Sequence, residues 1–178
     1  MPTVVSYATD DLPSLCLADG ALLVRNRAAG AGPTGQTTYF DRYVADVSSY
    51  HQLHPHAIFA FNYFLSFTRG TAPFNALSLL GGTRRMRGYY EGRYRDQNAV
   101  LLQSELRFDV YKRLGAVVFG SVGALGDGRD FLRLGEPKGA YGAGLRFTIN
   151  RRDHLNLRLD YGLGRQSSGF YLTIGEAF

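Results

Sequence analysis

The sequence predicts an all-β protein, an antiparallel transmembrane β-barrel of about eight strands, on three observations. First, the chain ends on Gly169-Phe-Tyr-Leu-Thr-Ile-Gly-Glu-Ala-Phe178, where Phe170, Leu172, Ile174 and Phe178 share one strand face, broken only by Glu176. Tyr171, Thr173, Gly175 and Ala177 occupy the other. An apolar face toward lipid and a terminal aromatic at the interface girdle suit the closing strand of an outer-membrane barrel. Second, seven further segments of about ten residues read as strands, most of them alternating, and that is the length that crosses a bilayer when tilted. Third, no run reaches the roughly 18 apolar residues of a spanning helix. The 12 Tyr and 12 Phe, with no Trp, supply the aromatics that favour a membrane interface.

The segments follow in order. Residues 21–27 form a short first candidate. Residues 38–50 alternate less cleanly, with Tyr43, Ala45 and Val47 opposite Arg42, Val44, Asp46 and Ser48. Residues 57–69 are clearer, setting Ala57, Phe59, Phe61, Tyr63, Leu65 and Phe67 against Ala60, Asn62, Ser66 and Thr68. Residues 98–111 set Val100, Leu102, Leu106, Phe108 and Val110 against Gln103, Glu105, Arg107 and Asp109. Residues 115–125 are apolar on both faces. Tyr141, Ala143, Leu145, Phe147 and Ile149 oppose Gly142, Gly144, Arg146, Thr148 and Asn150. Leu155, Leu157, Leu159, Tyr161 and Leu163 oppose Asn156, Arg158, Asp160, Gly162 and Gly164. The closing strand makes eight, and the length allows one domain over 1–178.

The second faces separate a membrane barrel from a soluble sandwich, which also alternates. On a sandwich the polar face meets solvent and is long, charged and Lys-rich. Here it carries Gly, Asn, Thr, Ser and Arg, with acids among them, as a hydrated and crowded lumen requires. The formal charge of +5 rests on eighteen Arg and two Lys. A nucleic-acid binder is one reading of that balance, but the Arg are mostly spread singly along alternating strands, so no nucleic-acid partner is expected. No charged n-region and apolar h-region precede Cys16, so the chain is expected to be a mature protein or a fragment. One Cys excludes an internal disulfide.

One segment breaks the meander. Gly81-Gly-Thr-Arg-Arg-Met-Arg-Gly-Tyr-Tyr-Glu-Gly-Arg-Tyr-Arg-Asp96 is a long connection, and such connections are usually functional or disordered. Its density of Arg, Tyr and Gly predicts an ordered loop that docks somewhere acidic.

With this loop in view, the chain resembles the BamA/TamA superfamily of outer-membrane assembly and translocation barrels, also called bacterial surface antigens. The resemblance is closest over residues 79–178. Gly81-Gly-Thr followed by Met86-Arg87-Gly88-Tyr89 is similar to that family's sixth extracellular loop, whose Val-Arg-Gly-Phe/Tyr signature folds back into the lumen. Gln103-Ser-Glu-Leu-Arg-Phe108 resembles the strand after it, and Tyr141-Gly-Ala-Gly-Leu-Arg-Phe147 a strand near the end. The closing Phe170, Leu172, Ile174, Gly175 and Phe178 resemble the family's C-terminal assembly signal. Tyr7-Ala-Thr-Asp-Asp11 looks like the end of a still earlier strand.

The resemblance implies a bacterial outer-membrane location and the C-terminal half of a sixteen-stranded barrel, a fragment without the family's periplasmic repeats. It also implies three partners: outer-membrane lipid, the barrel-assembly machinery through the C-terminal signal, and client outer-membrane proteins. Arg87, Gly88 and Tyr89 become the loop motif and Glu105 its docking partner, because a guanidinium drawn from water needs acceptors. Exchanging those two charges is then expected to restore part of the loss caused by removing Arg87. The family's second acid falls in a Phe-x-Asp-x-Gly stretch that here reads Phe119-Gly-Ser121-Val-Gly123, and Ser121 forms no ion pair.

Two geometries are open for the strands. Eight can close a small barrel filled by side chains, which leaves no room for the loop. Otherwise the sheet stays an open half-barrel. Two function classes are also open: assembly by lateral strand templating at a weak seam, or a passive anchor or pore, such as the barrel of a patatin-like secreted protein.

Other patterns carry little. His51-x-x-His54-x-His56 sits in a short turn without a nearby Cys or carboxylate, so no metal is expected. Asp127-Gly-Arg-Asp130 lacks the ligand ladder for calcium. The glycines of 139–144 precede no helix. Neither enzyme activity nor a cofactor is expected.

Overall fold

Period-two alternation over ten or more residues makes a strand, and short Pro, Gly or charged turns fold each strand back on the last. The computed structural model describes residues 15–17, 21–31, 37–70, 72–111, 113–126, 135–150 and 155–174. Residues 7–11, the 127–130 tip, Gly175 and Phe178 lie outside the described residues.

The strands are β1 (Leu15–Leu17), β2 (Ala21–Ala31), β3 (Thr37–His54) and β4 (Ala57–Gly70). A single 3-10 turn, Phe74–Ala76, precedes the short strands β5 (Ser78–Leu80) and β6 (Tyr94–Asp96). Then come β7 (Asn98–Tyr111), β8 (Leu114–Gly126), β9 (Lys138–Asn150), β10 (Leu155–Gly164) and β11 (Ser167–Ile174). Each of the eight expected segments is a strand, and β1 adds a ninth to the main sheet. No α-helix occurs among the described residues.

Nine strands pair in the order β1-β2-β3-β4-β7-β8-β9-β10-β11, every pair antiparallel. Strands β5 and β6 form a separate ribbon inside the long connection. The expected barrel is corrected here. Among the described residues, strands β1 and β11 are the two edges of an open sheet and do not pair with each other. The reason is volume. A small closed barrel is filled by its own side chains, whereas this sheet holds a whole loop against its inner face.

That loop supplies the core. Leu80, Met86 and Tyr89 of the loop pack on Phe64 of β4, Ala99 and Leu101 of β7, and Ala140 of β9. Several inner positions of β8 are apolar too. Val117 and Phe119 are buried there, while Val118 and Val122 are exposed on the outer face. This accounts for a strand that reads apolar on both faces.

The outer face is the reverse of a water-soluble surface. Tyr141, Leu145 and Phe147 on β9 are exposed, and Phe170, Leu172 and Ile174 on β11 are 75%, 68% and 65% exposed. The buried inner positions instead include Asn62, Ser66, Thr68, Gln103, Glu105, Ser121, Arg146, Arg158 and Asp160.

Candidate functional site: a loop locked to the inner face of the sheet

The connection from Gly81 to Arg93 doubles back beneath the sheet. Its base is fixed by the β5–β6 ribbon, by Ser78 Oγ donating to Ser66 Oγ at 2.8 Å, and by a bridge in which Gly81 N donates to Arg85 O at 2.9 Å. Met86 takes a positive φ of 62° and Gly88 one of 112°. For Gly88 the residue type is required. A Cβ there would also lie 2.8 Å from the backbone carbon of Leu163.

Strand β10 makes room for this approach. A Cβ on Gly162 would lie 2.6 Å from the Gly88 nitrogen, and one on Gly164 would lie 2.5 Å from the Tyr89 ring. The glycines on the inner face of the 155–164 segment thus form a groove for the Gly88–Tyr89 backbone and ring.

Arg87 lies at the centre, 2% exposed. Its Nη2 donates to Glu105 Oε1, and its Nη1 donates to Asp160 Oδ2 at 2.5 Å. The guanidinium carbon stands 3.6 Å from the centroid of the Phe119 ring, an arrangement with cation–π attraction. Both carboxylates are buried, Glu105 at 1% and Asp160 at 0% exposure. Each has further cations. Arg107 Nε donates to Glu105 Oε2 at 2.9 Å. Arg146 Nη1 donates to Asp160 Oδ1, and Arg158 Nε is 3.1 Å from Asp160 Oδ2. Arg158 Nη2 also donates to Thr83 O at 2.7 Å, tying a strand cation to the loop backbone. Four guanidinium groups therefore face two carboxylates, and removing an acid is the more disruptive change.

The rest of the loop is held by neutral bonds. Gln103 Oε1 accepts from Met86 N at 3.0 Å, while its Nε2 donates to Arg84 O at 3.1 Å and Asn62 Oδ1 at 3.3 Å. Asn62 Nδ2 donates in turn to Asp46 Oδ1 at 2.6 Å and Ser48 Oγ at 3.0 Å. This relay crosses β7, β4 and β3. Tyr89 Oη donates to Gly139 O and accepts from Arg165 N, both at 2.8 Å. Tyr171 Oη accepts from Gly88 N and donates to Tyr89 O, both at 3.0 Å. Arg85 keeps an exposed surface but stacks 3.7 Å over the Phe64 ring centroid. Burial there lowers its pKa from the ordinary value, with the Asp46 charge opposing the shift.

The structure thus brings Arg87, Gly88, Tyr89 and Glu105 together. It places Phe170, Leu172 and Ile174 elsewhere, on the exposed outer face of the last strand. Ser121 makes no ion pair, and its hydroxyl donates to Ala140 O at 3.4 Å. The second acid is Asp160, two strands further along the sheet, which sequence reasoning placed on the inner face without giving it a role. Its signal was available: it is the one acid on an inner row that otherwise holds Asn156, Arg158 and two glycines. Tyr171 had no such signal, because a tyrosine within an alternating strand is ordinary.

The three histidines form no centre, and they do not share the short turn expected of them: His51 and His54 lie at the end of β3, and only His56 is in the turn. His51 Nε2 is 2.9 Å from Ser49 Oγ, the His54 and His56 rings are 5.9 Å apart, and all three side chains are exposed. Among the described residues no group of three or more His, Cys, Asp or Glu could hold a metal ion. A scan against protein-family models finds no match to the chain, and a search of the curated proteins finds none either.

Proposed function

We propose that this chain is the C-terminal half of a BamA/TamA-type barrel in the bacterial outer membrane. It acts in the assembly or translocation of client outer-membrane proteins, and its terminal strand templates a client strand by edge pairing. The observation that carries the reading is the reversed polarity of the sheet. Large apolar and aromatic side chains face outward on every strand from β7 to β11, while Glu105, Arg146, Arg158 and Asp160 are buried on the inner face with Arg87 of the docked loop. In water such a surface drives association. Against hydrocarbon it is the favoured face, and a lumen accommodates the charges.

Two further features support assembly over passive anchoring. Strand β11 has one sheet neighbour among the described residues, so its other side offers a row of backbone donors and acceptors for an added strand. A well-held inner loop gives the sheet a rigid interior on which an edge can open without loss of the whole fold. In this reading Phe170, Leu172, Ile174, Gly175 and Phe178 address the protein to the barrel-assembly machinery during its own insertion.

Photo-crosslinking residues placed at Ser168 and Leu172, in cells making the full-length protein, test the reading. Crosslinks to terminal strands of nascent outer-membrane proteins are expected. A correctly folded protein whose β11 crosslinks to lipid alone would identify an anchor or pore instead.

A further inference from the structure

The docked loop touches the last strand as well as the arginine cluster, and it does so through one hydroxyl. Tyr171 lies opposite Asp160 in the β10–β11 ladder. This cross-strand pair therefore grips three consecutive loop residues, Asp160 through the Arg87 guanidinium and Tyr171 through the Gly88 N–H and the Tyr89 carbonyl. The Tyr171 hydroxyl uses both its donor and its acceptor capacity on the loop backbone, each bond 3.0 Å long.

The side chain reaches the loop by lying back over Gly169. A Cβ at that position would sit 2.9 Å from Tyr171 Oη. The glycine on the inner face of β11 thus clears the path of the tyrosine. The turn beyond β10 adds to the same attachment, with Arg165 N donating to Tyr89 Oη at 2.8 Å and Arg93 Nη1 to Gln166 O at 3.4 Å.

We propose that Tyr171 is a latch that couples loop docking to the position of the terminal strand. β11 is held on one side by the β10 ladder and from within by the loop. Moving β11 off β10, or bending it outward to accept another strand, breaks both Tyr171 bonds. Undocking the loop removes the inner restraint on β11. The two motions then form one two-state element, which is the physical requirement for coupling between separate sites. Tyr171 acts as a positioning residue, and the inference rests on the proposal that β11 is the templating edge only for its biological use.

Hydrogen exchange on the lipid-reconstituted protein tests the coupling directly. Tyr171→Phe keeps the ring and removes both bonds, so exchange is expected to accelerate together, by roughly tenfold, in the 86–90 and 168–174 segments. Gly169→Ala, which displaces the tyrosine, should reproduce that paired change should the first variant fold poorly. Tyr161→Phe, on the outer face of the same hairpin, should change neither segment. In an Arg87→Ala background, Tyr171→Phe should again accelerate the two segments together, by one common factor. Acceleration of the loop alone with β11 unchanged, in either background, would overturn the latch. These readouts do not depend on client insertion, so a coupled loop and strand in a protein that inserts nothing would sink the assembly proposal and leave the latch standing.

Discussion

Replacing Arg87 by alanine removes the one loop cation that both buried carboxylates share. Two charge-assisted hydrogen bonds are lost, each worth roughly 1.5–3 kcal/mol where water is excluded. The stacking on Phe119 goes with them. Two effects reduce the cost. Glu105 keeps Arg107, and Asp160 keeps Arg146 and Arg158, so neither acid is stranded. Repulsion between Arg87 and those three cations is also relieved. A loss of about 3 kcal/mol in loop docking follows, which raises the undocked population by about two orders of magnitude.

The sheet should survive that change, because its ladders do not involve Arg87. Glu105→Gln gives the sharper contrast. It leaves the loop arginine and Arg107 facing each other across a neutral side chain, so docking should weaken at least as much as in Arg87→Ala, and the sheet itself should lose stability. Trypsin cleavage at Arg84, Arg85 and Arg93 in lipid-reconstituted protein reads the loop, and heat-modifiable mobility reads the sheet. If Arg87→Ala leaves loop cleavage unchanged, the cluster does not hold the loop and the reasoning fails.

Two further outcomes follow from the same contacts. The charge exchange Arg87→Glu with Glu105→Arg should restore almost nothing, contrary to the simple pair expectation, because the new acid meets Asp160 and the new cation meets Arg107; loop protection equal to wild type would refute the cluster geometry. Gly164→Val should push Tyr89 out of its groove at a cost of about 1–3 kcal/mol, speeding exchange over residues 89–94 while leaving the Arg87 contacts largely intact, and normal exchange there would show that the groove is slack.

The strands were legible because alternation is a local signal. Where large apolar residues recur at every second position, as in Tyr141 to Ile149, the strand and its outward face follow from the pleat alone. Strand 115–125 was legible as a strand but not as to its faces, since part of its inner row, Phe119 beneath Arg87 and Gly123 beside Leu80 and Met86, is covered by a distant loop. The loop was legible as ordered from its Arg, Tyr and Gly content, and Glu105 as an acid on the inner row. Asp160 was legible as an acid on an inner row but not as the second partner of Arg87, and Tyr171 was not legible at all, because both roles depend on the depth to which the loop reaches along β10 and β11. That depth is set by the Gly162 and Gly164 groove, a tertiary fit that strand periodicity does not encode. Closure was not legible for a related reason: strand count alone does not reveal whether the interior holds side chains or a loop.

The central claim is that the exposed aromatic face meets lipid and the charged face does not, and refolding tests it most directly. The account predicts that the purified chain gains β-structure only with detergent or lipid present, runs as a heat-modifiable species, and aggregates when either is withheld. A monodisperse, β-rich protein in plain buffer would contradict it.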